Sequence, residues 1–339
     1  MSEAEYEGVP AGGGRPGPSR VGLLLPTREM AILGSYSMAP LLELARRAET
    51  LGFDSLWTGD SLLARPRLDP LVVLAAAAAV TERITLGTAA LIGPLRHPLT
   101  TASALSALDH AAGGGRLTLG VGSGFPIPDS EEEFAAVGVP FTGRAGRLDE
   151  IACLWKRAWN SGRPDAYTSF AGKLWQQTGL DRLAPPATPG GPPLWLAGSD
   201  TPKVLARVAE LYDGWMPFLP DSATYARAWL RIRELAGQWG RPDDAITPAL
   251  YATINVNPDR DKARQELDEY VQGYYGRPLE LMSTIQAYGY GSAEECADWL
   301  GGYIEAGARH IVVRIGSLDP GPQLDEIAGE LLPAVRRIG

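Results

Sequence analysis

The first stretch that could do chemistry is glycine-rich. Residues 120–129 read GVGSGFPIPD and follow the apolar run Leu117–Val121. A dinucleotide fingerprint needs G-x-G-x-x-G at a strand exit, so that a helix begins with free N–H groups aimed at a pyrophosphate. Counted from Gly120, the third glycine position is Phe125; counted from Gly122, it is Ile127. Pro126 and Pro128 follow and remove donors, so the dinucleotide reading fails. Two readings remain for Gly122, Ser123 and Gly124. One is a tight exit from a strand; the other is a backbone left bare so that a flat ring can approach.

A second stretch, Trp195–Lys203 (WLAGSDTPK), ends a strand and starts a helix at Pro202. Small residues, hydroxyls and unpaired N–H groups at Gly198, Ser199 and Thr201 suit a phosphate, although an ordinary capped helix looks the same. Of the histidines, only His97 follows a strand closely enough to reach a site; His110 lies on a helix and His310 at the opposite end of a strand. No histidine set has metal-ligand spacing, and no metal site is expected. Asp60, in WTGDS, is either catalytic or a tether for Ser61 or a loop N–H. No G-x-S-x-G elbow is present. Few acid–base groups, a phosphate loop and no metal point to chemistry carried by a bound organic cofactor.

These residues sit at the ends of a regular series. From Val21 onward, eight strand-like runs alternate with helical spacing: Val21–Leu25, Ser55–Trp57, Ile84–Ile92, Leu117–Val121, Leu194–Ala197, Gly214–Phe218, Leu250–Val256 and Ile311–Ile315. Such alternation predicts a parallel sheet, and eight units predict a closed (β/α)8 barrel rather than an open doubly wound sheet. Two connections are too long for simple loops. One follows strand four and runs through Ser161–Pro193; the other follows strand seven over roughly 257–292 and carries Tyr270, Tyr274, Tyr275, Tyr288 and Tyr290. The second is read either as a lid at the catalytic face or as a packing helix with tyrosines at its rim.

The composition bounds the rest. Of 339 residues, 45% are hydrophobic and 21% charged, and the net charge is −9 with no basic run, which argues against a nucleic-acid partner. The apolar run Leu71–Val80 is too short to span a membrane and reads as a buried helix. Cys153 and Cys296 form no disulfide framework, so a reducing cytoplasm is expected. Residues 1–19, with AGGGRPGPS, are expected to be a disordered tail ahead of one barrel domain over 20–339.

In order and spacing, five stretches resemble the bacterial luciferase-like flavin monooxygenase family: GFDSLWTGDS at 52–61, ERITLGTAALIGPLRHP at 82–98, LDHAAGGGRLTLGVGSG at 108–124, GRAGRLDEIACLWKRAW at 143–159 and PPLWLAGSD at 192–200. The resemblance implies a (β/α)8 TIM barrel that uses reduced FMN with O2, or the deazaflavin F420. It places the ring against Thr88, Ala89, Ala90, Gly122, Ser123 and Gly124, with a non-proline cis peptide at Ala89–Ala90, and the cofactor phosphate near Ala197, Gly198, Ser199 and Thr201. The candidate catalytic set is Asp60, Ser61 and His97, and the candidate substrate pocket is Leu62, Phe125, Met216, Phe218 and Tyr288. Two departures bear on the reaction. Ser61 stands where many relatives carry histidine, and Phe125 where the F420-dependent sugar-phosphate dehydrogenases carry a glutamate. Both weaken the sugar-phosphate dehydrogenase reading and favour a reduced-FMN monooxygenase acting on a small organic substrate, with a separate flavin reductase, over F420 hydride transfer; the absent histidine keeps an inactive flavin-binding paralogue as a third reading. Relatives imply a homodimer.

Overall fold

A computed structural model describes residues 19–160 and 168–338. The expected tail, apart from Ser19, lies outside the described residues. The strands in chain order are β1 (Arg20–Leu24), β2 (Ser55–Thr58), β3 (Thr85–Ile92), β4 (Leu117–Gly122), β5 (Ser169–Ala171), β6 (Gln176–Thr178), β7 (Leu194–Leu196), β8 (Gly214–Trp215), β9 (Thr247–Val256), β10 (Ala287–Gly291) and β11 (His310–Ile315). Eight of them, β1, β2, β3, β4, β7, β8, β9 and β11, pair in parallel, and the β8–β9 and β11–β1 pairings close the barrel. They are the eight runs expected from the sequence. Their outward residues, such as Val21, Leu23, Leu56, Leu86, Leu119 and Val313, are fully buried against the helices. That two-sided burial is why the strands read as continuous apolar runs.

The barrel interior is filled by two indoles and an imidazole. Trp57 and Trp195 lie 5.3 Å apart, and His310 meets both edge-on at 5.5 and 5.1 Å. Room for them comes from inward-facing glycines. A methyl group on Gly87 would sit 2.4 Å from the Trp57 ring, and one on Gly214 would sit 2.3 Å from Trp195. The Ser55 hydroxyl accepts from Trp57 Nε1 at 2.7 Å and contacts His310 Nε2 at 2.7 Å, so the polar atoms of this plug satisfy one another. Leu24, Met216, Ala249 and Val312 pack with it.

Both predicted excursions exist. After β4, a helix at Pro128–Ala136 and a long helix at Arg144–Trp159 precede the β5–β6 hairpin. Glu150 accepts the N–H groups of Leu174 and Trp175, and Asp109 accepts from the N–H and hydroxyl of Thr188. These carboxylates pin the described part of the excursion to the barrel helices. After β9, the tyrosine-rich segment is neither a loop nor a single helix. A helix at Arg260–Tyr275 is followed by a short turn of helix and then by β10. That strand adds to β9 beyond the end of β8, with the Ala287 N–H donating to the Phe218 carbonyl. The helix over Pro70–Ala78 is buried along Val73, Leu74, Ala77 and Ala78, as expected of Leu71–Val80. Among the described residues, no helix is long and apolar enough to cross a membrane.

Candidate active site at the barrel mouth

The C-terminal ends of the strands carry a bulge on one side and a charged wall on the other. Strand β3 pairs with β4 through Thr88↔Leu119 and then through Leu91↔Val121, so Ala89 and Ala90 together oppose Gly120. The Ala89–Ala90 peptide is cis. The glycines of the opening motif now divide by role. Gly120 accommodates the bulge, since a methyl group there would sit 2.2 Å from the Thr88 carbonyl oxygen and 2.7 Å from Met216 Cε. Gly124 has φ +85° and makes the turn that leaves the barrel. At Gly122 a methyl group would meet only Ala90 Cβ, at 3.6 Å, with open space beyond. Strand β7 continues this surface, because the Ala197 N–H donates to the Val121 carbonyl at 2.9 Å. Ala89, Ala90, Gly122 and Ala197 therefore form a bed of small residues over Met216. The Thr88 hydroxyl is turned away from it and donates to the Gly120 carbonyl at 2.7 Å.

The three candidate catalytic groups are not brought together in one constellation. Asp60 accepts from the Ile92 N–H at 2.8 Å and from both terminal nitrogens of Arg96. Burial pushes its carboxyl upward, and the Arg96 guanidinium pulls the other way. Ser61 is buried and donates to Glu133 while accepting from the Arg65 N–H. His97 is exposed at the start of the helix over Pro98–Ala111, where its carbonyl receives the Thr100 and Thr101 hydroxyls. Asp60 is thus held by Arg96 and the Ile92 N–H rather than paired with Ser61.

At the phosphate candidate, Thr201 starts the helix over Pro202–Leu211 without capping it through its side chain, and its carbonyl takes the Val204 and Leu205 N–H groups. The Gly198 carbonyl accepts from Trp215 Nε1, and Ser199 is half-buried beside it. In the candidate substrate pocket, Phe125 and Phe218 lie 5.7 Å apart at the rim, with Phe125 exposed, and Leu62 is also exposed. Met216 is 2% exposed and packs inside the barrel, where it forms the floor beneath the bed. Tyr288 is buried and donates to Gln286 Oε1 at 3.2 Å.

The sequence reading missed the opposite wall. Arg314 lies on β11 on the same inward face as His310 and Val312 and is 2% exposed. Its Nε donates to the Thr253 hydroxyl and its Nη1 to the Tyr275 hydroxyl, both at 2.8 Å. Its guanidinium lies over the rings of Tyr274 at 4.6 Å and Tyr275 at 5.2 Å. Arg67 reaches the same cluster through Tyr274, at 3.1 Å, and comes close to Gly59 near the Ala89 carbonyl. Glu29 accepts from the Tyr270 hydroxyl at 2.5 Å. One signal was available: an arginine inside the apolar run HIVVRI is out of place in a buried strand. Glu133 had none, because it sits in the run EEEF with acidic neighbours.

A (β/α)8 barrel whose distinctive features crowd the strand C-termini belongs to a class of protein that works at that face. The family model described as luciferase-like monooxygenase matches residues 19–310, and the chain belongs to that family. It is 27% identical over 253 residues to the phthiodiolone/phenolphthiodiolone dimycocerosates ketoreductase of Mycobacterium tuberculosis (strain ATCC 25618 / H37Rv), covering 66% of this chain and 63% of that protein. It is 30% identical over 243 residues to the 4-hydroxyprotoasukamycin monooxygenase of Streptomyces nodosus subsp. asukaensis, covering 69% and 62%. The match thus spans less than two thirds of these relatives' length. Among solved structures, an F420-dependent secondary alcohol dehydrogenase in complex with an F420-acetone adduct superposes with a TM-score of 0.77 at 21% identity, covering 94% of this chain and 99% of that one. That likeness is one of fold.

Proposed function

We propose that this chain is an oxidoreductase of the luciferase-like type that binds a reduced flavin at the barrel mouth and oxygenates a small organic substrate. The observation that carries the reading is the bed of Ala89, Ala90, Gly122 and Ala197, where a methyl group on Gly122 would enter open space rather than protein. A planar ring fits such a surface, and Gly198, Ser199 and Thr201 at a helix start would hold the phosphate of FMN. Reduced FMN would supply the electrons that activate O2. The protein's own part is then to hold the ring, exclude water and orient the substrate. The apolar Phe125–Phe218 rim suits water exclusion, and Asp60 and Ser61 are tied into the scaffold rather than free for proton transfer. In this reading a separate reductase supplies the reduced flavin, since the chain carries no dinucleotide fingerprint.

A second reading is hydride transfer from F420. The phenols of Tyr274, Tyr275 and Tyr288 at the mouth favour it, because reduction of a carbonyl needs a proton donor. Anaerobic titration with photoreduced FMN and, separately, with reduced F420 distinguishes the two. The expected result is saturable binding of reduced FMN, followed on admission of 18O2 by label in the product. Binding of F420 alone would overturn the monooxygenase reading.

A further inference from the structure

The mouth holds more positive charge than the protein neutralises. Arg65, Arg67 and Arg314 converge on the tyrosines of the helix over Arg260–Tyr275, with Arg65 5.0 Å over the Tyr275 ring, and Arg28 beside them donates to the Pro66 carbonyl. Glu29 is the carboxylate of this cluster, and it is engaged by Tyr270. Among the described residues none of the four arginines is in an ion pair. Burial and the neighbouring Arg67 and Arg65 push the Arg28 guanidinium below its usual range, whereas at Arg67 and Arg314 the tyrosine neighbours outweigh burial and hold the guanidinium above it.

Two donors in the cluster are buried without a partner: Arg314 Nη2 and Arg28 Nε. A guanidinium taken out of water normally has its donors satisfied, and an exception calls for a ligand or another explanation. The stacked tyrosines offset part of the charge through their ring faces but accept no hydrogen bond from Nη2. The chain as a whole carries −9, so this concentration of unpaired cations is local and does not reflect composition.

From these orphaned donors we infer that the wall of Arg314 and Arg67 is a recognition site for an oxyanion of the substrate, so that the substrate is an organic acid, bound by its carboxylate or an equivalent group across the mouth from the Ala89–Ala90 bed. Arg314 Nη2, buried without a partner, is the central contact, and Arg67, which meets the Tyr274 hydroxyl and comes close to the Ala89 carbonyl, is the second. Arg314 is on β11, four strands around the barrel from β4 and three from β7, whose end leads to the phosphate candidate at Gly198–Thr201. The inference rests on the mouth being the active site, but not on which cofactor binds there.

The test compares benzoate, benzenesulfonate and the neutral isostere benzamide by calorimetry on the whole chain. Both anions are expected to bind at least tenfold more tightly than benzamide, and more weakly as salt is raised. Arg314→Met is expected to reduce benzoate affinity at least tenfold while leaving benzamide unchanged, and Arg314→Lys to restore part of the loss. If Arg314→Met does not fold, Arg67→Gln carries the comparison, since Arg67 is only half-buried. Equal affinity for benzamide and benzoate, no binding of either, or a folded Arg314→Met that binds benzoate like the parent would overturn the inference. Titration with reduced FMN and F420 runs alongside; failure of both rejects the cofactor reading and leaves the anion result standing.

Discussion

Ser61 donates to Glu133 at 3.0 Å across 72 positions of sequence, and the same carboxylate oxygen receives the N–H groups of Leu62 and Leu63. Glu133 is fully buried, so the loop after β2 is clamped from below by a carboxylate on the helix that follows β4. The expected consequence is structural. Glu133→Gln should cost about 2 kcal/mol in urea unfolding, in the range for charge-assisted hydrogen bonds. Ser61→Ala should cost about 1 kcal/mol and keep turnover within a few-fold of the parent. Loss of turnover in folded Ser61→Ala would return the hydroxyl to the chemistry.

Asp60 and Arg96 form a bidentate pair in which Asp60 is 4% and Arg96 19% exposed. Removing one partner of a buried pair strands the other charge. Asp60→Asn should therefore lower stability by about 3 kcal/mol, the lower end of the range for a broken buried pair because Arg96 keeps Asp69. Turnover per folded molecule should persist. Activity abolished at full stability would identify Asp60 as a catalytic residue.

Gly120 and Gly122, two residues apart, should respond in opposite ways. Gly120→Ala forces a methyl group against the Thr88 carbonyl oxygen and should destabilise the fold by about 1–3 kcal/mol. Gly122→Val leaves the barrel intact and fills the bed, so it should keep the melting temperature and weaken binding of the reduced cofactor at least tenfold. Unchanged cofactor affinity in Gly122→Val would remove the bed from the site.

His310 is pushed down to about 3 by burial in the barrel floor, with the Arg20 charge adding to the effect. It folds neutral, whereas the unfolded chain protonates it near pH 6.5. Its contribution is full above that pH and declines as pH falls toward the folded value, because the unfolded state then binds the extra proton. Between pH 6.5 and 5 the parent should lose about 2 kcal/mol that His310→Asn does not lose. Equal pH slopes for the two proteins, measured by denaturant titration, would contradict this assignment.

The barrel was legible from the sequence because its signal is local. Each strand is an apolar run closed by a turn or a helix start, and eight of these in series leave few topologies. The failed dinucleotide fingerprint and the helix start at Pro202 were legible for the same reason. Strand β10 was not, since AYGYG alternates tyrosine with glycine and acquires strand geometry only against β9. Tertiary structure also decided the site. Ser61 reads as a loop hydroxyl until Glu133 closes on it from 72 residues away, and the partner of Asp60, Arg96, comes from 36 residues away. Arg314 meets Tyr275 from 39 residues away and Arg67 meets Tyr274 from 207, so no window of the sequence contains the charged wall. By itself the sequence determined which segments form strands and helices, because that depends on neighbours along the chain. Which polar groups are satisfied and which are left facing the mouth depends on neighbours across the barrel, and only the closed fold brings those together.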